Sequence, residues 1–514
     1  MARPGFVLEV DDRTPPLIVP NGDGFQLEKF PLGTRVIYPA ESLTGVVDLD
    51  EAINSALDAP VDSEPLGELL QSGMKLTIAF DDITVPTPKL RKPDLRGKII
   101  EAVLTRAAKA GVDDVALVAA NGLHRRMTAS ELQHLLGERV FRSFYVDGLL
   151  TNHDAEDIAN LTAIGETGAG EVKINSRAAE ADLLIFVHLV IAARGGGAAG
   201  IAAGLGSAAT IAQLSGIAGL LSGGAAAQAV AEQVGAVIKI FQIEAVLDND
   251  VFSPSLEFLG KREWEWNVRE QVTWLGLRRA LAATPSGVRR RIMNGAEADY
   301  HPTLITGGAP AAVQAISRKQ VLAQQVVDVD RQADVGVIGV GARTPYSADS
   351  VTNPILAAWL GLGASFQSHT GKPFVREGGA LIVYHPLGAD FSPLHHPSYV
   401  DFFADVLSTT IDPMRIHSEF ETTFATDPWY THLYRTSQAF HGVHPIYLWY
   451  QIAGARMHCS DIVWVGADRS SVERMGFRAA STLADALEMV SSTVGRSPSI
   501  SYLHTPPQIV VNLT

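Results

Sequence analysis

Short apolar runs of strand length, each bounded by turn residues, recur along the chain with helical patterns between them, an alternation that marks parallel α/β units. Leu76–Phe80, Val115–Ala120 and Leu183–Val187 are the first three. Between the first two, LRGKIIEAVLTRAAKAG (Leu95 to Gly111) carries apolar residues at helical spacing and ends on a glycine suited to a C-terminal stop. The three pieces make one right-handed βαβ crossover. After the second run, Thr128 and Glu131 have the spacing of a capping box that opens the next helix, which leaves His124 on the connecting loop. That edge of an open α/β sheet, beyond the carboxyl ends of its strands, is where ligands bind.

A second block of alternation begins at Ala333 with ADVGVIGVGA and continues through ALIVYHPLG from Ala380 and DIVWVGAD from Asp461. The stretch from about Asp248 to Asp330 is richer in charge and tryptophan and contains Pro285-Ser286-Gly287, so the interdomain connection is expected there. At 514 residues the chain exceeds one typical core. The expectation is an α/β protein of two lobes, with mainly parallel sheets flanked by helices and a cleft between them. Residues 1–300 would form the first domain and residues 301–514 the second.

Charge and composition narrow the function classes. A net charge of -15, with no long run of Lys and Arg, argues against a nucleic-acid partner. Cys459 is the only cysteine, which rules out an internal disulfide and a thiolate metal cluster and fits a reducing cytoplasm. The N-terminal MARPGFVLEVDDRTPP has acidic residues where a secretory signal needs its apolar core. Between Arg194 and Glu232 no residue is charged, which invites a membrane reading. Glycine and alanine dominate that stretch and add little to membrane transfer, so buried helices and a glycine-rich loop account for it better, and no membrane partner is expected.

Several constellations carry candidate chemistry. Asp81-Asp82-Ile83-Thr84-Val85-Pro86-Thr87-Pro88 sets an acidic pair at a strand end before a proline-stiffened turn, although the same residues serve any structural turn. Gly122-Leu123-His124-Arg125 puts an imidazole that titrates near neutrality beside a permanent cation. His153 follows in Asn152-His153-Asp154, and His188 stands near the end of the third strand. Singly, each histidine reads as structural; His124, His153 and His188 together, on successive strand ends, are expected to line one cleft. Gly195 to Gly200 either cradles an anion or lets a helix pack closely, and it matches neither nucleotide fingerprint, which favours packing. In the C-terminal half, the His395-His396-Pro397 turn and His441-Gly-Val-His444 stand out. The second has the spacing to share a metal from one helical turn and equally suits an aromatic core with Phe440, Tyr447 and Trp449.

In this order, Asp-x-Thr-x-Pro, then Gly-x-His-Arg followed by Met-Thr, then His-Asp, Val-x-Ile-Asn and Ala-Asp, the chain resembles the N-terminal domain of the nickel-dependent lactate racemase family. The likeness covers roughly Leu76 to Gly206, and the later strands resemble that family only loosely. It implies a racemase or epimerase for a small 2-hydroxy acid or sugar acid, working with a nickel-pincer nucleotide held between the lobes. His124 then matches one catalytic proton acceptor, and His188, one residue out of register, is the nearest candidate for the other. Asp82, Thr84, Arg125, His153, Gly196 and Gly197 fall among the substrate- or cofactor-binding positions.

Four departures qualify that likeness. The family's Gly-Gly-x-Lys reads Gly196-Gly197-Ala198-Ala199, and no lysine occurs between Lys173 and Lys239. The nickel-ligating histidine falls near Ser215, with no histidine between His188 and His301. Val85 replaces the arginine of a Thr-Arg-Pro turn, and a Gln-x-x-Lys pair has no clear counterpart. The nickel-pincer cofactor is therefore expected to be altered or absent, because Ala199 and Ser215 stand at its anchors. A small-molecule carboxylate would be held by Arg125, Arg194 or backbone N–H groups at Gly195 to Gly197. A different metal-dependent enzyme on the same scaffold, and a non-catalytic ligand-binding protein, stay open beside the isomerase.

Overall fold

The structure, a computed structural model, describes residues 3–86, 89–193, 195–295, 297–342, 349–366 and 372–514, apart from the side chains of residues 293 and 294. The alternating pattern at the start of the chain becomes β1 (Lys75–Asp81), α1 (Leu95–Lys109), β2 (Asp114–Ala120), α2 (Ala129–Tyr145), β3 (Leu150–Asn152) and β4 (Leu183–Val190). It continues through α3 (Gly197–Leu205), α4 (Ala208–Ser215), β5 (Ile240–Leu247), β6 (Pro302–Gly308) and α5 (Pro310–Gln325). The six strands form one sheet in the order β6-β5-β4-β1-β2-β3. Neighbours run parallel except at the edge, where β6 pairs antiparallel with β5.

β1 is apolar on both faces because both are covered. Ile78 and Phe80 join Leu117 and Ala119 under Ile99, Ile100 and Val103 of α1 and Leu132 and Leu135 of α2. The intervening Ala79, with Val118, Leu184 and Phe186, packs under Ile201, Ala202 and Leu205 of α3. This two-residue alternation is what a parallel strand buried on both sides requires. The helix limits follow local chemistry. Asp94 caps α1, Gly111 follows it at φ +72°, and Thr128 and Glu131 form both bonds of the capping box on α2.

The second sheet gathers Phe6–Glu9, Arg35–Tyr38, Ile500–Leu503, β7 (Ala333–Gly341), Val375–Tyr384, Asp461–Val465 and Arg478–Ala480, in that spatial order. The first pair is antiparallel and the rest are parallel. The fold is thus α/β, with mainly parallel sheets flanked by helices. Strand membership does not follow a division at residue 300. β6 and the helix that covers it, α5, belong to the first sheet, while residues 6–38 hydrogen-bond into the second beside Ile500–Leu503. Such pairings join strands hundreds of residues apart and leave no local mark. The tryptophan-rich stretch after Asp248 is folded: Phe258, Trp266 and Trp274 pack with Ile18 against the N-terminal hairpin. The uncharged segment after residue 194 becomes short helices, and among the described residues no helix is long and apolar enough to cross a membrane.

One buried cation fixes the turn that follows β1. Arg96 is fully buried, and its Nε and Nη2 donate to Asp94 at 3.0 and 2.8 Å. Its Nη1 donates to the carbonyl oxygens of Asp81, Asp82 and Val85 at 3.2, 2.6 and 3.1 Å. Removing one member of a buried pair strands the other charge. Arg96→Met should therefore lose about 3–5 kcal/mol of stability in equilibrium urea unfolding. A loss below ~1 kcal/mol would mean the turn does not depend on this clamp.

Candidate functional site

β1 ends in two adjacent carboxylates, and an extended backbone sends successive side chains in opposite directions. Asp81 reaches across to β4, where its oxygens lie 3.0 and 2.9 Å from His188 Nδ1 and accept the Leu189 N–H at 2.6 Å. Asp82 turns to the neighbouring loop, with Oδ2 2.9 Å from His124 Nδ1 and Oδ1 accepting the N–H and hydroxyl of Thr84 at 2.9 and 2.5 Å. Both imidazoles open on one cavity of about 710 Å³ at the carboxyl ends of β1, β2 and β4. Thr84, Arg125, Glu131 and Gly196 also line it, with Asp349, Trp359, His395, Phe440 and His444 from the C-terminal half.

The carboxylates set the charge of both rings. Burial alone would lower the pKa of His188, but the charge and hydrogen bond of Asp81, reinforced by Glu244, push it up to about 9. For His124, burial is likewise outweighed by the charge and hydrogen bond of Asp82, and the net direction is upward. Asp82 responds in kind: burial would raise its pKa, yet His124 and Thr84 hold it below the usual carboxylate value. With Nδ1–H donating to a carboxylate, each ring in its neutral form presents the Nε2 lone pair in a fixed direction.

Of the residues singled out in the sequence, His124, His188, Thr84, Arg125 and Gly196 line this cavity, and Asp82 stands behind His124. His153 does not join them. It is fully buried at the end of β3, with Nε2 2.9 Å from the Gly206 carbonyl and Nδ1 3.3 Å from the Asn175 amide nitrogen, and burial lowers its pKa to about 4. A neutral ring bonded on both nitrogens holds structure there rather than ligand. Arg125 also departs from expectation, because both its terminal nitrogens donate to the capping-box carboxylate of Glu131, at 2.9 and 2.6 Å. Its charge is already matched. Arg194, the other cation expected near a carboxylate, lies outside the described residues, as do Thr87 and Pro88.

The glycine run before α3 serves close approach. Gly196 and Gly197 have φ of +76° and +59°, and an added Cβ would lie 2.7 Å from Glu244 Oε1 or 2.8 Å from Gln314 Oε1. Gly197 thus packs on α5 and is not part of the cavity lining. Ala199 sits on the first turn of α3, and Ser215, at the end of α4, lines the cavity.

The C-terminal half contributes His395 and His444, which stood out in the sequence without any sign that they face His124. His444 begins α6 (His444–Gln451) and meets His124 edge to face, with ring centroids 5.3 Å apart. The Tyr399 hydroxyl lies 2.5 Å from its Nδ1, and burial with the neighbouring imidazoles drives its pKa well below the usual value. His441 points elsewhere, with Nε2 2.9 Å from Glu156 Oε1, so the two do not share a metal from one helical turn. Among the described residues, one group brings three possible ligand atoms within 4.8 Å of one another, Asp248, Asp250 and His301, and none of these lines the cavity. Tyr434 ties the halves together, donating to the Gly122 carbonyl at 2.6 Å and accepting the Ala155 N–H at 3.0 Å.

Tyr434→Phe would leave a buried carbonyl and a buried N–H without their partner. It should cost about 1–3 kcal/mol in denaturant unfolding. A cost below ~0.5 kcal/mol would show that the His124 turn does not need this bond.

Residues 24–216 match the family model described as the lactate racemase N-terminal domain. The lactate racemase of Lactiplantibacillus plantarum is 29% identical over 154 residues, covering 29% of this chain and 34% of that protein. The match thus spans about a third of that relative's length. The lactate racemase apoprotein of Thermoanaerobacterium thermosaccharolyticum superposes with a TM-score of 0.63 at 16% identity, covering 97% of this chain and 100% of the other. A structure from Thermotoga maritima gives a TM-score of 0.50 at 13% identity, covering 92% and 100%. At those identities the structural likeness speaks for the fold.

Proposed function

We propose that this chain, whose residues 24–216 match the lactate racemase N-terminal domain, is a racemase or epimerase acting on a 2-hydroxy acid, with His124 and His188 as its proton-transferring residues. The observation that carries this reading is the pair of imidazoles, each backed by its own carboxylate from Asp81-Asp82, opening on one cavity. A ring anchored at Nδ1 takes a proton at Nε2, and the same carboxylate stabilises the cation that results. Two such rings serve a centre whose configuration is to be changed, one accepting a proton while the other supplies one. The pKa of His188, pushed up to about 9, favours a cationic ring at neutral pH, which draws a small-molecule carboxylate into a cavity where Arg125 is already paired. A single buried cysteine is in keeping with work in the cytoplasm.

The residues present do not fit a nickel-pincer nucleotide anchored as in the family. Position 199 offers a methyl group and position 215 a hydroxyl, where a lysine amine and an imidazole would be needed. Of the rings that reach the cavity, those of His124, His188 and His444 have Nδ1 engaged by Asp82, Asp81 and Tyr399, while among the described residues His395 Nδ1 has no hydrogen-bond partner. The chemistry assigned to the chain is accordingly proton transfer and orientation, worth roughly 10²- to 10⁴-fold for each well-placed group. Loss of the lysine also favours a second reading, a ligand-binding protein without turnover.

Interconversion of enantiomers across a panel of 2-hydroxy acids, followed by chiral chromatography, separates the two. The isomerase should lose roughly 10²-fold or more in kcat/KM with either His124→Asn or His188→Asn. Because His188 acts as a base only when neutral, the ascending limb of kcat/KM against pH in the direction where it is the base should be governed by a group titrating near 9. Activity that survives both substitutions, or an ascending limb already complete by pH 7, would contradict the roles given to these rings. Absence of turnover with every acid would favour the binding protein.

A further inference from the structure

A second cavity, of about 340 Å³, meets the first at His188 and Gly195 and lies between β4, β5 and α5. Glu244 of β5 and Ser317 of α5 form part of its wall, and each is only 1% exposed. Among the described residues, Glu244 Oε2 and Ser317 Oγ have no hydrogen-bond partner, and neither does Oε1 of the buried Gln242, two residues earlier on the same face of β5. The other oxygen of Glu244 is used, since it accepts a bond from the Gln242 side chain. Gln314 and Arg318 of α5, also in the wall, donate to the carbonyls of Gly195 and Ala193.

Buried polar atoms are nearly always paired, and carboxylate and amide oxygens can only accept. The missing partners are therefore hydrogen-bond donors. Their place is informative too: Glu244 is the register neighbour of His188 on the adjacent strand. A methyl at Gly196 would lie 2.7 Å from Glu244 Oε1 and 3.5 Å from His188 Nε2. The unmatched acceptors begin where the proton-transferring ring ends.

We propose that this second cavity is a subsite for substrate hydroxyl groups, so that the acid taken is a polyhydroxy acid of about five or six carbons. At ~30 Å³ for each water, the cavity has room for roughly ten waters, well beyond the methyl group of a three-carbon acid. The subsite rests on reading the main cavity as a 2-hydroxy acid site. Sites built to hydrogen-bond a hydroxyl discriminate strongly against ligands that lack it, because the protein's own groups are left unpaired.

Isothermal titration calorimetry of the full chain with gluconate and with lactate tests this without requiring turnover. Gluconate should bind roughly tenfold or more tightly than lactate, and Glu244→Gln and Ser317→Ala should each bring that ratio towards one. Ser317→Ala is the milder change, and a thermal melt of each variant checks that it folds. Equal affinity for the two acids, no binding of gluconate, or a ratio unmoved by both substitutions would overturn the subsite and leave water as the occupant. Gluconate preferred but never turned over would overturn the isomerase reading while the subsite stands. Lactate turned over with no preference for gluconate would do the reverse.

Discussion

Two neighbouring carboxylates at the end of β1 hold the site together. Asp81 and Asp82 diverge because the backbone there is extended, and each claims a different imidazole, His188 on the adjacent strand and His124 on the adjacent loop. Buried charge is costly unless it is paired. The arrangement meets that requirement with two histidines for the two carboxylates and with Asp94 for Arg96, whose guanidinium also gathers the backbone carbonyls of Asp81, Asp82 and Val85. The positions of the two rings relative to each other therefore depend on one short turn and the cation beneath it.

The remaining elements serve that turn or close the space it faces. Tyr434 holds the Gly122 carbonyl from the C-terminal half, which fixes the loop that carries His124. Glu131 caps α2 and at the same time neutralises Arg125, so one carboxylate that organises a helix also removes a cation from ligand binding. The glycines at 196 and 197, at φ +76° and +59°, bring the loop before α3 against Glu244 and Gln314 in a backbone conformation that other residues rarely adopt. The cavity owes its character to these pairings as much as to its lining.

Much of the first sheet was legible because its signals are local. Apolar runs marked β1, β2 and β4 to within a few residues, and Thr128 with Glu131 marked the start of α2. His124 and His188 were legible through their places near strand ends. His153 looked the same in sequence, and only its burial against Gly206 and Asn175 separates it from them. Asp81 was visible as half of an acidic pair, but the direction of its side chain was not. Contacts between distant parts of the chain left no pattern at all: residues 6–38 beside Ile500–Leu503, β6 on β5, His444 against His124, and Glu244 beside His188.

The claim on which the rest turns is that Asp81 overrides burial to keep His188 cationic. An NMR titration of the His188 ring nitrogens, in the native chain and in Asp81→Asn, measures this directly. The expected midpoint is near 9 in the native chain, with a fall towards or below 6.5 in the variant, where burial acts with less opposition. A native midpoint at or below 6.5, or one that Asp81→Asn leaves unchanged, would contradict it.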